Sequence, residues 1–470
     1  MLRHKAIRAY ILLVGLPLLL LLYVLKTGNT LTAPPWTALQ QKAVTPAPPM
    51  PMNLFLLVLQ VGVVVGFSRV VGILFKKIGQ PQVVGEMVAG IMLGPSLLGW
   101  LAPGVSKFVF PAASMGYLNA LSQFGLVIFM FLVGIELNPQ ELKKNGHAAV
   151  VTSHASIVTP FCLGSALALV LYPKLSHQGI SFVSFALFMG SAMSITAFPV
   201  LARILTESRL LGTRMGTLSI SCAAVDDVTG WCILAYIIIL VRTESSSASI
   251  WTTIIGVLAF VAVMMLGVRR ILPWFESSLK KHGRLTENAL AFMVTLIMIC
   301  ALTTEKLGIH SLFGAFFLGA LMPKSVAFTR AVLNKFEALT VTALLPLFFA
   351  FSGLRTSLAG VQGQYLGYTA LIIAVAILGK FGGSMFAARL SGVSWRDATS
   401  LGVLMNTRGL MELIALNIGL DIGVISQTVF SMMVLMALVT TFMTSPLMRI
   451  VYRPEPVQDS DGEMEIAHVA

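Results

Sequence analysis

Long apolar runs alternate with short polar segments along most of the chain. Runs of about 20 apolar residues are long enough to cross the hydrocarbon core of a membrane as helices. From Asn53 onward the pattern predicts thirteen spans. Their predicted bounds are 53–75, 82–99, 115–135, 147–171, 180–205, 215–241, 250–271, 287–304, 308–323, 337–354, 364–389, 397–418 and 427–450. We therefore expect an all-α polytopic membrane protein.

The segments outside these spans differ in composition. Residues 1–26 combine basic residues with an apolar run from Ala9 to Leu25, the order found in a signal anchor or a signal peptide, and we favour an anchor helix. Residues 27–52 are rich in proline, which excludes a regular helix and predicts an extended external linker. Residues 451–470 predict a short polar cytoplasmic tail.

The overall composition agrees with a membrane location. Apolar residues make up 57% of the chain and charged residues 11%, and the mean hydropathy is +0.88. The net charge of +13 does not indicate nucleic-acid binding, because the basic residues lie in short loops between apolar runs. More of these residues fall on one predicted side than on the other, which predicts an inner (plasma) membrane protein with a cytoplasmic C-terminus. The cysteines lie inside apolar runs without a Cys-x-x-Cys pair, so we expect no resident metal, disulfide or cofactor.

Two adjacent carboxylates, Asp226 and Asp227, fall near the middle of the sixth span. One ionised carboxylate at the centre of a membrane helix costs about 3 kcal/mol on insertion scales, and two neighbours also repel each other. A static salt bridge needs one aspartate, whereas a mobile cation or proton can use a second. The pair therefore predicts a binding site for a transported monovalent cation and for protons.

An internal repeat predicts how the spans are arranged. Three apolar, glycine-rich segments resemble three others in the same order, and the members of each pair lie seven spans apart. The pairs are 85–95 with 314–323, 131–136 with 350–355, and 190–196 with 402–408. Because seven is odd, the second copy is threaded through the membrane in the opposite direction. We therefore predict inverted repeats over residues 53–241 and 287–450, joined by a linker helix at 250–271.

The fifth and twelfth spans carry polar clusters where a plain apolar helix is expected. These residues are Ser194, Thr196 and Pro199 in one span, and Asn406, Thr407, Arg408 and Glu412 in the other. Pro199 removes a backbone donor, and unwound backbone at membrane depth persists where it is buried in protein or lines a water-filled cavity. Two broken helices at equivalent repeat positions predict one binding site, with Ser194 and Thr196 among its ion-binding residues. The alternative is a pair of kinked helices whose hydroxyls bond back to their own carbonyls.

Lys380 lies in the middle of the eleventh span, where an ammonium is as costly as a carboxylate. Adjacent helical residues point about 100° apart. We therefore predict that Asp226 pairs with Lys380 while Asp227 faces the ion path as the principal cation and proton carrier. The alternative for Lys380 is snorkelling to an interface. Arg408 and Glu412 are spaced i, i+4, so they either pair along their own helix or contact the ion.

Taken with these residues, the chain resembles the monovalent cation:proton antiporter family 2, which includes bacterial Na+/H+ and K+/H+ antiporters and plant cation/H+ exchangers. The motifs that carry the resemblance are 79–96, Ala224-Val225-Asp226-Asp227, 308–316 and 404–410. The resemblance implies a thirteen-helix inverted-repeat fold with two crossed discontinuous helices, a homodimer, and a core domain that moves against a dimer domain. It also implies that the paired aspartates and Lys380 form the transport site.

The predicted function is the exchange of Na+ or K+ for protons by alternating access. Desolvation makes the ionised carboxylate costly, so a cation and a proton can neutralise it in turn. The resemblance suggests more than one proton per cation, hence electrogenic exchange. A channel or another solute carrier of related fold is the alternative. An intramembrane aspartyl protease is disfavoured, because its two acids come from separate helices whereas Asp226 and Asp227 are neighbours on one helix.

Overall fold

The computed structural model describes residues 14–35, 53–136, 146–207, 210, 214–245, 250–358 and 361–452, and every regular element in these ranges is a helix. The helices of the first half are α1 (Leu16–Gly28), α2 (Leu54–Lys77), α3 (Gln82–Leu93), α4 (Met115–Glu136), α5 (Gly146–Leu175), α6 (Phe182–Ser194), α7 (Phe198–Glu207) and α8 (Arg214–Ser245). Two short helices, Leu98–Leu101 and Pro103–Val109, connect α3 to α4.

The remaining helices belong to the second half of the chain. They are α9 (Ile250–Val263), α10 (Pro273–His282), α11 (Glu287–Lys306), α12 (Ser311–Leu321), α13 (Val326–Leu339), α14 (Leu345–Leu354), α15 (Gln364–Ile377), α16 (Gly383–Leu390), α17 (Trp395–Met405), α18 (Leu410–Asp421) and α19 (Gln427–Val451). π-Helical turns at Thr340–Leu344 and Leu378–Gly382 join α13 to α14 and α15 to α16.

The all-α multi-pass architecture predicted from hydropathy is confirmed. Within the described residues, ten helical segments are long and apolar enough to span a membrane, and α1, α6 and α12 are shorter apolar helices. The predicted count of thirteen spans is not confirmed, because the ninth predicted span contains a helix of only 11 residues.

Several segment bounds differ from the predicted ones. The helix predicted to end at residue 241 continues to Ser245, and the predicted 250–271 linker helix continues through a π-helical turn and α10 to His282. In the N-terminal segment, Gly28 of α1 packs against the Phe182 ring at the start of α6. Residues 1–13, most of the proline-rich linker and most of the C-terminal tail lie outside the described residues.

Both predicted helix breaks are present, and the two breaks touch. The first break separates α6 from α7, and the second separates α17 from α18. The backbone N–H of Ala197 in the first break donates to the Thr407 carbonyl in the second at 3.0 Å. The hydroxyl oxygen of Thr196 also lies 3.4 Å from the Met405 carbonyl oxygen. The two discontinuous helices therefore cross at their breaks, where neither helix has a complete set of backbone hydrogen bonds.

Close glycine contacts join helices within each of two sets. In the first set, a Cβ at Gly90 of α3 would lie 2.5 Å from the Cα of Ala350 in α14, and a Cβ at Gly134 of α4 would overlap the backbone of α12. In the second set, a Cβ at Gly164 of α5 would lie 3.0 Å from the Cα of Gly190 in α6. Backbones this close leave no room for side chains, so each set packs tightly. We call α2–α4 and α11–α14 the first set, and α5–α8 and α15–α19 the second set.

The two crossings in the first set are related by the sequence repeat. Gly90 aligns with Gly319, and Gly134 aligns with Gly353, in the repeat alignment. In the structure Gly90 packs on Gly353, and Gly319 packs on Gly134. The two glycines of one crossing are therefore the repeat equivalents of the two glycines of the other crossing. Paired small residues at both crossings are the arrangement that an inverted duplication would produce.

Replacing Gly134 with valine is expected to disrupt the fold, because its Cβ would overlap the carbonyl oxygen of Phe316. Overpacking of this kind costs about 1–3 kcal/mol or more. The matched control is Gly116→Val on the same helix, where a Cβ would meet nothing within 4 Å. Size-exclusion chromatography of detergent-solubilised protein measures the folded fraction. A normal, monodisperse peak for Gly134→Val would show that this crossing is not tightly packed.

Candidate ion site

Lys380 reaches the middle of the second set on a π-helical turn. The turn, Leu378–Gly382, adds a residue to the helix formed by α15 and α16, a deviation that is frequent at functional sites. Gly379 lets this helix approach α5, since a Cβ there would lie 2.8 Å from the Cα of Pro160. The Lys380 side chain is fully buried, with 0% of its surface exposed.

The Lys380 ammonium has three close acceptors. Its Nζ lies 2.6 Å from Oδ2 of Asp226, 2.9 Å from the Ser156 carbonyl oxygen and 2.5 Å from the Ser194 carbonyl oxygen. An ammonium has three protons to donate, so these contacts satisfy it. Lys380 therefore ties α5, the broken end of α6 and α8 together.

Asp226 is surrounded by donors. In addition to Lys380, the hydroxyls of Ser153 at 3.0 Å, Ser156 at 2.6 Å and Thr196 at 3.0 Å donate to its two oxygens. A buried ion pair with satisfied lone pairs avoids most of the cost of desolvation. Asp226 is thus held as a paired structural carboxylate.

Asp227, the next residue, has the opposite environment. It is only 2% exposed, and neither carboxylate oxygen has a hydrogen-bond partner within the described residues. The backbone N–H of Phe198, at the start of α7, faces this carboxylate but does not meet hydrogen-bond geometry. An ionised carboxylate without donors is strongly disfavoured in a buried site, so the group needs a proton or a cation.

Arg408 lies in the second break rather than within a helix, and it contacts the end of α6. Its guanidinium donates to the carbonyl oxygens of Ala192 at 3.2 Å and Met193 at 2.7 Å. Together with the bond from Lys380 to Ser194, these bonds satisfy carbonyls that have lost helical partners, and cations are favoured at a helix C-terminus. Arg408 also lies 3.5 Å from Glu412, in the first turn of α18, but one oxygen of Glu412 has no partner in the described chain.

The other predicted site residues are also buried in the second set. The Asn406 side-chain oxygen has no partner among the described residues, which makes it available to a cation. Thr407 lies 3.5 Å from Thr444, and its carbonyl receives the bond from Ala197. The Ser194 hydroxyl donates to the Ser191 carbonyl at 2.8 Å, so the backbone of Ser194, not its hydroxyl, contacts Lys380.

Ser153 and Ser156 were not expected from the sequence to contact Asp226. Their i, i+3 spacing puts them on one face of α5. Serine is common in apolar helices, where it usually bonds back to its own backbone, so the sequence carries no distinct signal for this role. Within the described residues, no group of three or more His, Cys, Asp or Glu side chains could hold a metal ion. The oxygen atoms near the breaks, with the Asp227 carboxylate, are the candidate ligands for a transported cation.

Comparison with known proteins gives relatives over most of the chain. Residues 65–450 match the model of a family described as the transmembrane domain of sodium/hydrogen exchangers. The Na(+)/H(+) antiporter NhaS4 of Synechocystis is 44% identical over 87% of this chain and 100% of the relative. Cation/H(+) antiporter 18 of Arabidopsis thaliana is 40% identical over 88% of this chain and 51% of the relative.

A yeast relative and a solved structure extend the comparison. K(+)/H(+) antiporter 1 of Saccharomyces cerevisiae is 33% identical over 87% of this chain and 47% of the relative. The chain thus spans about half the length of the plant and yeast relatives and the whole length of the cyanobacterial one. The sodium proton antiporter MjNhaP1 of Methanocaldococcus jannaschii has a similar fold, with a TM-score of 0.62 and 14% identity over 84% of this chain and 97% of that chain.

Replacing Lys380 with methionine is expected to destabilise the protein, because it leaves Asp226 buried without its cation. Breaking a buried ion pair in this way costs about 3–5 kcal/mol. Lys280→Met is the matched control, since Lys280 pairs with Glu276 at 2.9 Å on an exposed surface, where such pairs contribute about 0–1 kcal/mol. Thermal unfolding in detergent measures both variants. Equal melting temperatures for the two variants would contradict the assignment of a buried, stabilising pair.

Proposed function

The chain belongs to the sodium/hydrogen exchanger family, and from that premise we propose that it exchanges Na+ or K+ for protons by alternating access. The observation that carries the proposal is the contrast between two adjacent carboxylates. Asp226 receives four donors, whereas Asp227 receives none within the described residues. Asp227 is thus the group that a proton and a cation compete for.

The competition follows from the charges in the second set. Asp226, Asp227 and Glu412 are three buried acids, and Lys380 and Arg408 are two buried cations. With all five groups ionised, the cluster has one net negative charge, which one proton or one monovalent cation can neutralise. Binding of either substrate therefore displaces the other.

The crossed breaks supply further ligands for the cation. The Asn406 side-chain oxygen lacks a partner in the described structure, and the residue precedes Thr407 at the crossing, so we propose it as a further cation ligand. Oxygen ligands of this kind suit hard monovalent cations, which must replace their hydration shell on binding. The named relatives include one Na+/H+ and one K+/H+ antiporter, so both cations remain substrates in the proposal.

The protein is a multi-pass membrane protein, and we place it in the inner (plasma) membrane with a cytoplasmic C-terminus. The uneven distribution of Lys and Arg between the two sides supports this orientation. We also propose a homodimer, which the resemblance to the antiporter family supports. The helices from Ile255 to His282 present an apolar outer surface that lipid or a second copy would cover, with Ile255, Leu258 and Leu266 each more than 60% exposed.

Asp227→Asn is expected to abolish exchange, because the amide can neither release a proton nor neutralise a bound cation. Dissipation of a pH gradient in proteoliposomes on addition of Na+, Li+ or K+ measures transport. Asp397→Asn is the control, since Asp397 is a partly exposed residue in the first turn of α17, outside the buried charge cluster. Normal exchange by Asp227→Asn, with the control also active, would show that another group carries the substrates.

Exchange is expected to be electrogenic, with more than one proton moved per cation. A second proton requires a second titrating group, for which Glu412 is the buried candidate, since one of its carboxylate oxygens has no partner within the described residues. Cation-concentration jumps on solid-supported membranes carrying proteoliposomes should therefore produce a transport current. Exchange that proceeds at the normal rate without a current would contradict this stoichiometry.

A further inference from the structure

A group of polar side chains joins the two helix sets at the end of the molecule that the charge pattern predicts to be external. Arg355 follows the last residue of α14 in the first set. Its guanidinium donates to the side-chain oxygen of Asn417 at 3.0 Å and to the Asp421 carboxylate at 2.7 Å, both in α18 of the second set. One guanidinium thus holds two residues of the opposite set.

The Arg355 guanidinium also lies near one aromatic ring from each helix set. Its central carbon lies 5.5 Å from the ring centroid of Phe351 in the first set and 5.9 Å from that of Phe430 in the second set. Both distances are within the range of cation–π attraction. Arg355 therefore interacts with both sets through charge, hydrogen bonds and aromatic faces.

A second layer of bonds lies beside this pair. The Asn417 side-chain amide donates to the Ser352 hydroxyl at 2.8 Å, and the Gln427 amide donates to the backbone carbonyl of Arg355. Ser352 is 1% exposed and Asn417 is 2% exposed, so the bond between these two side chains is closed to solvent. By contrast, the Arg355 and Asp421 side chains are 22% and 39% exposed and form its hydrated rim.

We propose that Ser352, Arg355, Asn417, Asp421 and Gln427 form an external latch, which holds the outer end of the ion path closed and must open once in every transport cycle. The proposal rests on the proposed exchange function. α18 is the second half of a broken helix, so any movement of the second set against the first must carry Asn417 and Asp421 away from Arg355. The bonds of Lys380 and Arg408 lie within the second set and can survive that movement.

The latch has the chemistry of a reversible contact. An ion pair at a hydrated rim contributes little net free energy, because water can replace each partner. The Asn417 and Ser352 side chains are neutral, so they too can exchange their mutual bond for bonds to water when the outer end opens. A gate that opens in each cycle needs weak contacts whose partners water can replace, rather than a dry, apolar seal.

A disulfide across the latch tests the proposal. Ser352→Cys/Asn417→Cys is made in a background where the four native cysteines are replaced and cation exchange is shown to persist. Oxidation is expected to reduce the exchange rate of the double variant at least tenfold, and a thiol reductant is expected to restore it. The exchange rate of either single cysteine variant should not change on oxidation. Exchange at the unchanged rate by protein shown to be fully cross-linked would overturn the latch. Wild-type protein that shows no cation exchange at all would instead contradict the proposed function.

Labelling of one buried latch residue gives a second test that does not depend on transport. Ser352→Cys should react slowly with a membrane-impermeant maleimide added outside, because residue 352 is buried. Adding Arg355→Gln should raise the labelling rate at least fivefold, since the rim pair is lost. Lys107→Gln, at an exposed lysine outside the latch, is the control and should leave the rate unchanged. Equal labelling rates with and without Arg355→Gln would overturn the proposal.

Discussion

The structure depends on how three acids and two cations are accommodated away from water. The Lys380 ammonium lies 2.6 Å from Asp226, and three hydroxyls complete the shell of that carboxylate. Because this pair neutralises itself, Asp227, the next residue, is left with no hydrogen-bond partner among the described residues. Binding of a proton or a cation to Asp227 removes the free-energy cost of its buried charge. The pairing of Asp226 with Lys380 thus leaves Asp227 as the group that binds the substrates.

The broken helices help to position the buried charges. Ending α6 at Ser194 exposes carbonyls that Lys380 and Arg408 satisfy, so both cations are fixed by backbone as well as by carboxylates. The bond between Ala197 and Thr407 holds the two breaks against each other. Unwound backbone is thus retained at membrane depth where protein groups satisfy it and where the side-chain oxygen of Asn406 has no partner in the described part of the chain.

The sequence predicted those features in which polar or charged groups lie inside apolar spans, because such groups are costly at membrane depth. The all-α fold and the two helix breaks follow from apolar run length and from polar residues placed inside spans. Ser153 and Ser156 were missed because serine in an apolar helix usually bonds its own backbone. The π-helical turn at Lys380 and the contacts of Arg355 were missed because both depend on packing between helices distant in the chain. The count of thirteen spans is not confirmed, because α12 has only 11 residues, fewer than a full crossing of the hydrocarbon core needs.

The tight glycine crossings within each set and the hydrated contacts of the latch indicate where the molecule is rigid and where it can open. The central claim is that one buried carboxylate alternates between a proton and a monovalent cation. Proton release on adding Na+ or K+ to purified protein in weakly buffered detergent solution tests this most directly, because it requires no membrane and no conformational cycle. The account predicts release by the wild type and none by Asp227→Asn. Equal proton release by both proteins would contradict it.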